Sequence, residues 1–411
     1  MENMKVHLYK KIIIFTIIIL IIESIFTVEI GAVVFTLNTK SINEDDVSSD
    51  FTIKYNDDFN EDISYYMDQG HMPSLTACIV KNSSVVWQNS YGFSNIYKGI
   101  KATENTVYLG ASLSKTITAT AILQLWEQDL FELDDDVNEY LPFSLRNPNY
   151  PDINITIRML LAHHSSLSKG EYSTFLYFSL LGLSKEDYKE YLDPSGKFYN
   201  PNLWLNIPPG EKLEYSNLGY ILIEYLIELL SHQSFDEYCY KNIFQPLDMK
   251  NTSFHVRDYE KNNLARPYIW ISNNYIPLPH YVDNYYSIGG IRTSVLDLSN
   301  FLIANMNDGV FNGKRILREE TLQHIRTEQF PDSNQSTWYV YGLGWRISSR
   351  NNVTSIGHAG SMPGTNTYMN YRPLEKTGII FFTNQYPIFN EIDIMPWMNI
   401  LFLLYEKADK L

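Results

Sequence analysis

TENTVYLGASLSKTITATAILQLWEQ, residues 103–128, changes its hydrophobic period part-way along. VYLGA, at 107–111, reads as a strand, and from near Thr116 apolar residues recur at three and four, the spacing of a helix face. Ser112 and Lys115 lie at the junction, three apart, so a helix start puts both side chains on one face. Unpaired N–H groups and the positive end of the helix dipole favour an oxyanion at such a start. A partly buried lysine there sheds its proton near neutral pH and becomes the base a serine nucleophile needs. Alone, Ser-x-x-Lys is also an ordinary N-cap. The chain carries its own control, because Ser166-Leu167-Ser168-Lys169 repeats the four letters. That copy follows ITIRMLLAHHSSL, whose helical run ends at His163-His164, so it falls in a loop after a helix.

Outward from this stretch the pattern is mixed. SLTACIVKNSSVVWQ (74–88) and, near the C-terminus, TYMNYRP and TGIIFFTN alternate and are broken by short turns, which predicts strands. LGYILIEYLIELLSH (218–232) has helical spacing. Strands at both ends and helices between them predict an α/β domain of the α+β type. Its antiparallel sheet is built from both ends of the domain and flanked by helices, with a mostly helical subdomain inserted at roughly 130–285. The domain is expected over 51–405, after a polar, acidic linker at 41–50.

With 411 residues the chain has room for one large domain or two ordinary ones. Its 45% hydrophobic and 19% charged residues are the composition of a folded protein. A net charge of -15 argues against nucleic acid or anionic lipid as the main partner. The two cysteines, Cys78 and Cys239, sit in apolar contexts without framework spacing and read as core thiols. The nine histidines include no HExxH; His163-His164 is a weak prompt for a metal, and no zinc site is expected. Lys5, Lys10 and Lys11 precede IIIFTIIILII (12–22) and a further apolar stretch to Phe35, so residues 1–40 read as a signal peptide or a membrane signal anchor. Either one sends the remainder into the secretory pathway, secreted or membrane-anchored. Sequons at Asn82, Asn154, Asn251, Asn334 and Asn352 fit a glycoprotein but add little in so Asn-rich a chain.

Around Ser112 the words read MPSLTACIV, VVWQNSYGFSN and then the opening stretch continued to DVNEYLP. ITIRMLLAHHSSL, IPPGEKLEYSNLGY, SIGGIRTSVLDLSNFL and IGHAGSMPGTNTYMNYRPLEKTGIIFFTN follow, and the set spans roughly residues 60–385. This ordered set closely resembles the serine β-lactamase and penicillin-binding-protein superfamily, the class C enzymes and their esterase relatives especially. The resemblance implies a β-lactamase/transpeptidase-like fold, makes Ser112 the nucleophile with Lys115 beside it, and leaves the second copy structural, because relatives have a His-Thr-Ser-Gly-Leu loop there. Tyr215-Ser216-Asn217 matches the family's Tyr-x-Asn: Tyr215, as phenolate or hydrogen-bonded hydroxyl, would shuttle the nucleophile's proton and Asn217 would orient lysine and substrate. A tyrosine beside a lysine cation is expected to be acidified. His358-Ala359-Gly360 matches the third element, Lys-Thr-Gly in the β-lactamases and His-x-Gly in many esterase-like relatives, with Gly360 letting substrate approach the strand edge. The literal Lys376-Thr377-Gly378 follows TYMNYRPLE and belongs to a hairpin turn. The implied oxyanion donors are the N–H groups of Ser112 and Ser361.

The resemblance therefore implies a serine hydrolase acting on ester or amide substrates, peptides and β-lactams included, through an acyl-serine intermediate and without metal or organic cofactor. Histidine at 358 weakens the positive charge that β-lactam carboxylates require, which favours an esterase or peptidase. The expected partner is a small-molecule or peptide acyl substrate, with membrane contact only through the N-terminal segment; the oligomeric state is not readable. A non-catalytic scaffold is disfavoured by the presence of Ser112, Lys115, Tyr215 and Asn217. A cell-wall transpeptidase would require D-Ala-D-Ala recognition and a second domain.

Overall fold

The computed structural model describes residues 58–168, 188–260, 262–281, 286–333, 339–350, 352–386 and 394–411. The N-terminal basic and apolar segment, the linker, Lys169 and Asn334 lie outside them. Eight strands form one antiparallel sheet: β1 Ser74–Lys81, β2 Ser84–Asn95, β3 Ile100–Lys101, β4 Val340–Tyr341, β5 Arg346–Arg350, β6 Val353–Met362, β7 Thr365–Arg372 and β8 Thr377–Thr383. Their spatial order is β4-β5-β6-β7-β8-β1-β2-β3, with Leu75 opposite Thr383 and Lys81 opposite Thr377. Strands from the two ends of the domain thus meet at the β8–β1 pair, as the strand pattern predicts. The turn between β7 and β8 contains Lys376 at φ +48°, which places the literal Lys-Thr-Gly in a hairpin.

Both faces of the sheet are buried at its centre, in β1, β7 and β8. In β8, Ile379 and Phe381 join Leu75 and Ala77 on one side, while Ile380 and Phe382 join Cys78 and Val80 on the other, the period of two that a strand requires. Five helices matter most: α1 Phe59–Gln69, α2 Ser114–Trp126, α3 Asn217–Ser231, α4 Val295–Met306 and α5 Met395–Lys410. Ile63, Tyr66 and Met67 of α1 and Ile400 and Leu404 of α5 cover the first face. α2, α3 and α4 fill the second. Each fully buried Leu, Ile or Phe contributes about 1.5–3 kcal/mol, so this two-sided burial holds the register. Cys78 and Cys239 are free thiols in this core.

α2 is buried all round, with Ile117, Ala119, Ala121, Ile122 and Leu123 wholly inaccessible. Its threonines lower helix propensity, but Thr116, Thr118 and Thr120 donate their hydroxyls to carbonyls three or four residues back. The helix begins two residues before the expected start, because a 3₁₀ turn over Ala111–Leu113 leads straight into it. Between residues 130 and 285 lie the short helices Ile157–Leu161, Tyr188–Leu192 and Phe235–Cys239, and α3. One β-hairpin, Tyr268–Ile271 with Asn274–Pro277, joins them there. Among the described residues no helix is long and apolar enough to cross a membrane.

Candidate active site

The chain leaves the short pair Tyr108–Leu109 with Arg292–Thr293 and turns through Gly110 and Ala111. Ala111 has φ +49°, a left-handed conformation that a residue with a Cβ adopts only when its surroundings impose it. They do so here. Gly110 N–H donates to the Ile291 carbonyl at 2.7 Å, and Thr367 Oγ1 donates to the Gly110 carbonyl at 2.9 Å. Ser114 Oγ donates to the Ala111 carbonyl at 2.8 Å and accepts Ile291 N–H at 3.0 Å. Ser112 is thereby delivered, half-buried, to the start of α2, with Lys115 wholly buried one turn on.

Lys115 Nζ donates to Ser112 Oγ at 3.3 Å and to the Ile288 carbonyl at 3.2 Å, and it lies 4.9 Å from the Tyr215 ring centre and 5.6 Å from that of Tyr220. Both acceptors are neutral. Burial therefore holds the Lys115 ammonium well below its ordinary range. Ile288 belongs to a single π-helical turn, Tyr286–Gly290, fixed against α2 and α3. Glu224 Oε2 accepts Ser287 N–H at 2.9 Å, and Thr118 Oγ1 donates to the Ser287 carbonyl at 3.3 Å.

Ser216 caps α3, its Oγ accepting Gly219 N–H at 3.2 Å, so Tyr215 precedes the helix and Asn217, half-buried, opens it. Tyr215 hydrogen-bonds to Ser112, yet the expectation that it is acidified fails. Burial drives its hydroxyl well above the ordinary tyrosine range; the Ser112 contact and the Arg346 charge offset this only in part. The sequence argument assumed a lysine cation, and burial that disfavours the cation removes that cause.

Across the cleft, β6 passes close to the start of α2. A Cβ on Gly360 would lie 2.5 Å from the Gly110 carbonyl oxygen and 2.9 Å from the Ser112 nitrogen, so only glycine permits this approach. β5 pairs with β6 only as far as Arg346 opposite Gly357, which leaves residues 358–362 without a strand partner on that edge among the described residues. Ser361 follows, exposed, with Oγ donating to Asn366 Oδ1 at 2.8 Å. His358 is buried and its Nδ1 donates to the Ala359 carbonyl at 2.6 Å, leaving Nε2 to accept from the Tyr341 hydroxyl at 3.4 Å. Burial first, then the Lys115 and Arg346 charges, push it down to about 3, so it is neutral near pH 7.

A model of the Beta-lactamase family matches residues 59–393. The chain belongs to this family. Its relatives include Protein flp of Staphylococcus aureus, 26% identical over 325 residues, which are 78% of this chain and 61% of that protein. The chain thus spans less than two thirds of that relative. Teichoic acid D-alanine hydrolase of Staphylococcus aureus is 27% identical over 269 residues, 64% of this chain and 62% of that one. The octameric penicillin-binding protein homologue from Pyrococcus abyssi superposes with a TM-score of 0.71 at 25% identity, covering 85% of this chain and 77% of that one. The D-alanine carboxypeptidase AmpC from Burkholderia cenocepacia shares the fold, with a TM-score of 0.66 at 19% identity over 85% and 97% of the two chains.

Within this Beta-lactamase family fold, Ser112, Lys115, Tyr215 and Gly360 meet where the starts of α2 and α3 approach β6, with the His358 ring 6.2 Å from that of Tyr215; Asn217 comes next on α3 and Ser361 next on β6. Ser166 is elsewhere: it is buried, with Oγ donating to the Ile207 carbonyl at 2.6 Å and accepting from Asn147 Nδ2 at 2.6 Å. Sequence reasoning passed over the Ile288 carbonyl, Glu224, Tyr220 and Tyr341, and met His163 only as a weak prompt for a metal. SIGGIRTS and EYSNLGYILIE contain three of them as letters, but a carbonyl has no letter, and a contact across the cleft has no spacing.

Proposed function

We propose that the chain is a serine hydrolase that cleaves an ester or amide through an acyl-Ser112 intermediate. The observation that carries this reading is Lys115, buried without a charged acceptor and 3.3 Å from Ser112 Oγ. Its neutral amine takes the Ser112 proton as Oγ attacks the carbonyl carbon, the C=O π bond opens, and the oxyanion sits between the N–H groups of Ser112 and Ser361. Loss of one such donor costs about 3 kcal/mol in comparable sites. Tyr215, acting as a hydroxyl rather than a phenolate, relays that proton to the leaving group as the oxyanion collapses, the C=O bond re-forms and the ester C–O or amide C–N bond breaks, while Asn217 positions the substrate. Water then attacks the acyl-enzyme, Lys115 accepts its proton, and Ser112 leaves with one.

A neutral His358 supplies no cation for a substrate carboxylate, which favours an esterase or peptidase over a penicillinase. The names of two relatives carry D-alanine, so D-alanyl esters and amides are the first substrates to assay. The basic and apolar letters within 1–40 support the further reading that the same activity acts outside the cytoplasm. The test is hydrolysis of a chromogenic short-chain ester and of a D-alanyl ester by the full chain. Turnover that Ser112→Ala abolishes is expected; turnover unchanged in that variant, or none from folded protein, overturns the reading.

A further inference from the structure

We propose that His163 is a positioning residue for this site, clamping the backbone on both sides of Tyr215 and backing its ring; the inference rests on the acyl-serine reading. Glu214 N–H donates to the His163 carbonyl at 2.8 Å, and Ser216 N–H donates to His163 Nδ1 at 3.1 Å. One residue therefore holds both neighbours of Tyr215, from 53 positions away at Ser216. The imidazole lies 4.4 Å from the Tyr215 ring, tilted by 34°, with Tyr220 at 5.1 Å and Tyr341 edge-on at 4.6 Å.

Because a backbone N–H can only donate, Nδ1 carries no proton, and the neutral ring is protonated at Nε2. That atom is buried without a hydrogen-bond partner among the described residues. An orphaned buried donor is destabilising, a cost that a leucine filling the same space would not incur. His163 is also held at φ +61°, a second local cost at the same residue. Both costs have a reason if Nδ1 is needed where it is. Its neighbour shows the contrast. His164 donates Nδ1–H to the Ala162 carbonyl at 2.8 Å, meets Ser333 Oγ through Nε2 at 3.2 Å and stacks on Phe330 at 4.2 Å, and so ties its loop to the 330–333 segment rather than to Tyr215. Tyr215 sits just before a helix cap, where no intrahelical bond fixes it. A displacement of about 1 Å at such a group costs up to about 100-fold in rate.

The test compares three substitutions in the full chain. In His163→Asn, Oδ1 stands where Nδ1 stood and still accepts Ser216 N–H; His163→Leu fills the space without an acceptor; in His163→Gln the acceptor lies too far along the side chain. Steady-state kinetics on a short-chain ester, the rate of fluorophosphonate labelling and thermal midpoints are read for each. His163→Leu and His163→Gln are expected to lower kcat by about 10- to 100-fold with KM changed less than about twofold, and His163→Asn to recover most of kcat. A merely structural role would move the midpoint and leave kcat of the folded fraction alone. Wild-type kcat in His163→Leu or His163→Gln, or a loss in His163→Asn equal to theirs, overturns the clamp. Long-range 1H–15N spectra of the wild type read it independently of turnover. A neutral Nε2–H ring missing from the His163→Asn spectrum supports the clamp, and a ring protonated at Nδ1 overturns it. A wild type that neither labels nor hydrolyses would instead overturn the acyl-serine reading.

Discussion

The chain spells Ser-Leu-Ser-Lys twice, and the two copies meet opposite fates. At Ser112 the backbone enters through a left-handed Ala111, the serine stays half-buried, and its hydroxyl faces a buried lysine at the start of an inaccessible helix. Ser166, itself at φ +64°, is 3% exposed, and its hydroxyl is consumed by Asn147 and by the carbonyls of Leu205 and Ile207. Ser112 faces a buried lysine and the Tyr215 hydroxyl, whereas the Ser166 hydroxyl is taken up by an amide donor and two carbonyl acceptors. Chemistry follows what surrounds the letters.

Exchanging the roles should fail in a graded way. Ser112→Ala is expected to remove ester turnover by at least about 10⁴-fold, and assays at high enzyme concentration check this. Lys115→Met should cost about 10³-fold in kcat while raising the thermal midpoint at pH 7. The sign follows from linkage. The native pKa of Lys115 lies below its value in the unfolded chain, so between the two the unfolded chain binds the extra proton and stability rises with pH. The stability gained by Lys115→Met should therefore shrink toward pH 10. Midpoints that fall at every pH would break this part of the comparison.

Gly360→Ala should lower kcat/KM by about 100-fold, because the methyl group drives β6 away from the Ser112 nitrogen. Acid should destabilise the fold through the buried histidines. His164 is pushed down to about 4 and His358 to about 3, chiefly by burial. As pH drops from 6.5 toward those values the unfolded chain gains protons that the native chain refuses, and stability falls. Thermal midpoints from pH 7 to 4 should decline, and those of His164→Gln should decline less. Ser166→Ala closes the series: about 1–2 kcal/mol of stability lost and ester turnover retained.

The sheet was legible because short apolar runs of strand length bounded by turns survive in the letters, as in Ile379, Ile380, Phe381 and Phe382, an unbroken run that divides between two buried faces. Ser112, Lys115, Tyr215 and Gly360 were legible through the ordered family words. The direction of the Tyr215 shift was not, since it depends on burial and on the charge state of Lys115. Nor was the clamp at His163, where an imidazole meets an amide across 53 residues.

The most direct measurement is covalent labelling of the full chain with a fluorophosphonate, followed by mass spectrometry of the adduct-bearing peptide. An adduct on Ser112, absent from Ser112→Ala and undiminished in Ser166→Ala, is the expected result. An adduct on Ser166, or none on folded protein, contradicts the assignment of the nucleophile.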